Sequence, residues 1–84
     1  FSKNIIKKFK YFEEGRKIIE QSIKNDPENI EIIFLRYLNQ RNSPWFLNYN
    51  QNLVEDYDFL IKNLNFISDP YFKNVIQKIL KNNY

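Results

Sequence analysis

The 84-residue chain has no cysteine, histidine, methionine, alanine or threonine, and it holds one glycine and three prolines. Each absence excludes something. Without cysteine no disulfide can staple the fold, and cysteine usage carries no signal of redox compartment. Without histidine the chain lacks the commonest metal ligand and the side chain best suited to proton transfer near neutral pH. Nucleophilic catalysis is left with Ser2, Ser22, Ser43 and Ser68, and no base of the usual kind stands ready to activate them. Ser43 and Ser68 have the sequence context of helix caps, and Ser22 suits a helix-packing position. One glycine excludes a glycine-rich phosphate loop. No stretch approaches the ~18 continuous apolar residues of a membrane-spanning helix, and no signal peptide is visible. The first residue is Phe1, so we expect a processed product, a fragment or an artificially trimmed chain. We expect residues 1–84 to form a single helical domain, the C-terminal part of a longer precursor. We expect no enzyme, no catalytic residue, no cofactor and no metal.

What the chain does have is Asn, Lys, Ile, Phe and Tyr, which together supply more than half of it. All five have AT-rich codons, so single surface Lys or Asn residues carry little weight. The net charge is +3, unevenly spread. Residues 1–24 and 70–84 are net basic, and residues 25–69 are net acidic. That layout suits three solvated helix faces, and it also suits an asymmetric partner or self-association.

Few breakers make the punctuation legible. Pro27, Pro44 and Pro70 each follow Asp or Ser, the pattern of an N-cap with proline in the first turn. The first helix is expected from Ser2 or Asn4 to Lys24. Its apolar stripe holds Ile5, Phe9, Phe12, Ile19 and Ile23, with Ile6 and Ile18 at the edges and lysines opposite. Gly15 lies inside it at a cost of ~1 kcal/mol relative to Ala, which predicts close approach of a neighbouring helix. Asp26-Pro27-Glu28 opens a second helix, Pro27 to Gln40. It is apolar nearly all round, so it belongs at the centre of the domain. Ser43 to Leu47 suits one short helical turn, and residues 48–52 a loop. A third helix, Leu53 to Asn65, opens on an Asn52–Glu55 capping box and carries Leu53, Tyr57, Leu60, Ile61 and Leu64. The fourth, Pro70 to Asn82, buries Phe72, Val75, Ile76, Ile79 and Leu80. No period-two alternation competes with these helices.

Two clusters invite a functional reading. Glu55, Asp56 and Asp58 form a tight carboxylate group without the spacing or glycine of a calcium loop. We read them as an acidic first turn complementing the helix dipole. Trp45, Phe46, Leu47 and Tyr49 fall between helices, and Trp and Tyr are enriched at binding hot spots. The competing role is a plug beneath a long connection, which we expect for Trp45 and Phe46 because a small domain recruits every aromatic it has. Trp45, Phe46 and Tyr49 remain candidate partner contacts.

From Tyr11 to Pro27 the chain resembles the second helix of a tetratricopeptide repeat. Gly15, Ile19, Ser22 and Pro27 match the repeat's small, large apolar, small and proline positions, with Tyr11 and Phe12 upstream. Tyr37 and Arg36 depart from the pattern in the helix that follows, and no second full copy is present. Over residues 1 to about 65 the order of residues also looks like a family of small, exported, repeat-like Bacteroidetes proteins. The resemblance implies an all-α stack of antiparallel hairpins, export with removal of a signal peptide, and no known activity. In a complete repeat the first helix would pair with a helix upstream. Its uncovered flank near Ile5, Ile6, Phe9 and Tyr11 is therefore expected to meet another chain or a second copy. The expected function is a non-enzymatic protein–protein interaction or scaffold module. The alternative is a peripheral binder of an anionic membrane surface or of nucleic acid through the lysine-rich face of the first helix. Glu13, Glu14 and Glu20 interrupt that face, which favours the protein partner.

Overall fold

The computed structural model describes residues 3–81, with the side chains of residue 7 and residues 10–81. Every regular element in it is helical: α1 (Lys3–Asn25), α2 (Ile30–Asn42), a 3-10 turn (Trp45–Leu47), α3 (Leu53–Asn63), a second 3-10 turn (Leu64–Phe66) and α4 (Pro70–Lys81). The domain is all-α with four main helices.

Helix α2 is the centre, as its apolar circumference requires. Ile33, Phe34 and Tyr37 are buried, and they meet Leu60 of α3 and Ile76 and Leu80 of α4. Phe34 and Phe72 pack edge to face with centroids 5.8 Å apart. Arg41 reaches the carbonyl of Ile79 at 3.1 Å, tying the ends of α2 and α4. Ile23 of α1 packs against the same core. Burying each of the large apolar side chains contributes about 1.5–3 kcal/mol, so this one cluster carries most of the hydrophobic stability.

The boundaries correct four expectations. Helix α2 begins at Ile30, three residues after Pro27. Its cap is Asn29, whose Oδ1 accepts from the Ile32 amide at 3.2 Å, while Asp26 accepts from Asn29 Nδ2 at 3.1 Å. A residue that caps the helix directly outcompetes one placed three positions earlier. The Asn52–Glu55 pair does not form a capping box. Asn52 Nδ2 donates to Glu55 Oε2 at 2.8 Å, so the two side chains satisfy each other and not the helix amides. Helix α3 ends at Asn63 and tightens into a 3-10 turn before Ile67. Gly15 has no neighbour: a Cβ added there would meet nothing within 4 Å. Its helix face is open, and no close packing offsets the glycine. The α4 cap is as expected, with Asp69 Oδ1 accepting from the Tyr71 and Phe72 amides at 2.9 and 3.4 Å.

Candidate functional site

The connection between α2 and α3 carries the most exposed large apolar side chain among the described residues. Trp45 is 88% exposed and Phe46 55%. Their rings meet edge to face with centroids 5.9 Å apart. The expectation that these two plug the core is therefore overturned. The turn is too short to fold back: Pro44 is extended, Trp45–Leu47 makes one 3-10 turn, and Asn48 closes it in the left-handed region at φ 53°. The residue that turns inward is Tyr49, only 3% exposed. Tyr49 fills the place that Trp45 and Phe46 were expected to take.

Tyr49 is held on three sides by α1. The Phe12 ring meets it edge to face at 6.0 Å. The Arg16 guanidinium lies over its ring, 4.4 Å from the centroid. Its hydroxyl donates to Glu20 Oε2 at 2.7 Å. Phe12, Arg16 and Glu20 recur every four residues, so they form one row along α1. Arg16 also sends long hydrogen bonds of 3.4 Å to the carbonyls of Leu47 and Asn48, gripping the end of the aromatic turn. Burial, together with the hydrogen bond to Glu20, pushes the Tyr49 hydroxyl well above the ordinary tyrosine range.

From Tyr49 runs a polar chain that is buried at Arg36, Gln40 and Asp56. Glu20 Oε1 accepts from Arg36 at 3.0 Å. Arg36 donates a fork to Asp56, with Nη2 to Oδ1 at 2.7 Å and Nε to Oδ2 at 2.8 Å. Asp56 is 2% exposed and also accepts from Gln40 Nε2 at 2.9 Å. Gln40 in turn accepts from the Asn52 amide at 2.8 Å through its Oε1. The chain therefore links α1, α2, the connecting loop and the start of α3. Hydrogen bonding to Asp56 holds the Arg36 guanidinium charged far above its ordinary range, against the opposing effect of burial. A planar fork on a carboxylate is the strong, directional form of ion pair. Here it orients one loop relative to three helices.

The other candidates divide. Tyr11 is exposed on α1, facing away from the Phe12–Arg16–Glu20 row. The side chains of Ile5, Ile6 and Phe9 lie outside the described residues, although their backbone belongs to α1. The three acidic residues of α3 do not act together. Glu55 and Asp58 are exposed, while Asp56 turns inward as the counterion of Arg36, so the reading of all three as dipole acids fails for Asp56. Among the described residues no three acidic side chains converge on a point that would hold a metal. No described helix is long and apolar enough to cross a membrane.

Sequence reasoning passed over Arg16 and Gln40, and it read Glu20, Arg36 and Asp56 in other roles: an interruption of the lysine face, a departure from the repeat pattern and a dipole acid. One signal was available for two of them. On a helix apolar nearly all round, a polar residue in mid-helix is a candidate for burial, and Arg36 and Gln40 stand one turn apart on α2. Comparison with protein families, with curated proteins and with solved structures returned no match to this chain.

Proposed function

We propose that this chain is a non-enzymatic protein–protein interaction module and that the Trp45–Phe46 turn is its contact surface. One observation carries the reading: a tryptophan almost fully in solvent on a turn whose flanks are braced by Arg16, Tyr49 and the Glu20–Arg36–Asp56–Gln40 chain. A large exposed aromatic is costly to leave in water, and a braced one loses little entropy when it docks. Trp and Tyr in such positions act as anchors that fill a partner's pocket. The exposed Lys7, Lys10, Lys17 and Lys24 of α1 are interspersed with exposed Glu13 and Glu14, which favours a protein over a polyanionic surface.

The architecture we infer for the module is a repeat-like stack of antiparallel helical hairpins. Two features support it. The connection between α1 and α2 is four residues long, which favours antiparallel neighbours. Each helix also packs chiefly on those next to it in the chain, with α2 reaching α4 through Phe34 and Arg41.

The test is a comparison of the full chain with its Trp45→Ala, Phe46→Ala double variant. Both are immobilised and exposed to extract from cells that produce the protein, and every protein retained by the wild type is purified and titrated against both forms. The expected result is an affinity loss of at least tenfold with circular dichroism unchanged, as hot-spot truncation gives. Equal affinity of the two forms for every retained protein overturns the reading.

A further inference from the structure

A second surface lies between α3 and α4. Tyr57, Ile61 and Leu64 line one wall and Asn74, Gln77, Lys78 and Lys81 the other, with Leu80 in the lining as well, around an open groove of about 500 Å³. The periodicity of both walls is helical. Tyr57 and Ile61 of α3 and Leu64 just past its end fall at intervals of four and three, and Asn74, Gln77, Lys78 and Lys81 of α4 at three, one and three. Each wall therefore presents a face about two turns long, or roughly 10 Å. Ile61, apolar, stands 45% exposed on this face. Among the described residues the charged groups of the lining are both cations, and no described carboxylate lines it.

We propose that this groove receives an acidic amphipathic helix from a partner protein. The shape selects a helix, since the ridge of a third helix packs into the furrow between two others. An apolar row spaced three and four residues apart would lie on Tyr57, Ile61 and Leu64. The charge selects an acidic one. Lys78 and Lys81 stand on one rim, and no described carboxylate lines the groove beside them, so acidic residues flanking the partner's apolar row gain and basic ones lose. The same rim disfavours a second copy of α1 as occupant, because α1 carries Lys7, Lys10, Lys17 and Lys24 exposed. This site is separate from the Trp45–Phe46 turn and does not depend on it.

The experiment uses the full chain, labelled with nitrogen-15, and two designed helical peptides. Both peptides have leucine in a three–four repeat. One has glutamate at the flanking positions and the other lysine. The acidic peptide is expected to shift the amide resonances of Tyr57, Ile61, Leu64, Gln77 and Lys78, with an affinity roughly tenfold above that of the basic peptide at low salt. Raising the salt narrows the gap. The Lys78→Glu, Lys81→Glu double variant reverses the preference, and Trp45→Ala leaves it unchanged. Both variants change exposed residues and should retain the wild-type circular dichroism spectrum. Absence of binding by the acidic peptide, equal binding of both peptides, shifts that map elsewhere, or concentration-dependent sedimentation that accounts for the shifts by self-association overturns the proposal.

Discussion

Replacing Asp56 by Asn changes one oxygen to an amide and leaves the volume almost unaltered. Asp56 is the acceptor for three donors: two from Arg36 and one from Gln40. An asparagine offers one carbonyl oxygen, so at least one of those donors meets an NH₂ group instead. Arg36 is itself buried, and its remaining partner Glu20 lies at the edge of the core with a side chain 40% exposed. Removing one half of a buried ion pair costs about 3–5 kcal/mol, because the surviving charge stays out of water. A domain of this size is stable by only ~4–13 kcal/mol in total. D56N is therefore expected to lower the melting temperature by roughly 15–30 °C. Urea unfolding followed by circular dichroism measures the loss, with the slope of the transition unchanged. A companion variant, Arg36→Met with Asp56→Leu, removes the charges together and is expected to recover part of the loss; with the single Arg36→Met and Asp56→Leu variants completing the cycle, the coupling energy is expected at about 2–3 kcal/mol. If D56N costs less than about 1 kcal/mol, the ion pair does not hold the loop and the physical account of the braced turn fails.

Other outcomes follow from single contacts. Gly15→Ala should stabilise the protein by about 0.5–1 kcal/mol, since the added methyl group meets open space and only the helix propensity changes; urea unfolding checks this. Tyr49→Phe removes the hydroxyl that donates to Glu20 and should cost about 1.5 kcal/mol near neutral pH. The native state holds the Tyr49 proton more tightly than the unfolded chain does. Its contribution is therefore complete below the ordinary tyrosine value of about 10 and is lost as pH climbs above that value. Melting temperatures from pH 8 to 11 should fall more steeply for the wild type than for Y49F. Asn48→Val should cost about 1–2 kcal/mol and Asn48→Gly should be neutral or better, because Asn48 stands at positive φ.

Elements set by local chemistry were legible in the sequence. The Asp69-Pro70 opening of α4 is as expected, because a cap next to the helix needs nothing from the rest of the fold. The centrality of α2 follows from an apolar circumference that only burial on several sides can satisfy. The start of α2 was misplaced because Asp26 and Asn29 are both competent caps, and the choice between them depends on how the chain leaves α1. Gly15 was misread because a small residue in a helix implies a neighbour only when a neighbour is there.

The site was legible in its residue types and illegible in its geometry. The aromatic cluster around Trp45 stood out, but which ring turned inward did not. That choice rests on Arg16, Glu20 and Phe12, between 29 and 37 residues away along the chain for Tyr49. The Arg36–Asp56 fork joins residues 20 positions apart, and its partners sit in stretches with ordinary local explanations. Asp56 in a first helical turn looks like a dipole acid. Only the packing of α3 on α2 makes it a buried counterion.

Trp45 is the one tryptophan of the chain, so its fluorescence reports on the turn alone. Time-resolved anisotropy combined with acrylamide quenching tests the central claim most directly, since it reads both the exposure and the rigidity of that side chain's support. The account predicts quenching close to that of free tryptophan together with an anisotropy that decays mainly with the tumbling of the whole domain. In D56N, kept below its melting temperature, fast local decay should appear. A shielded tryptophan, or one that moves freely in the wild type, would contradict it.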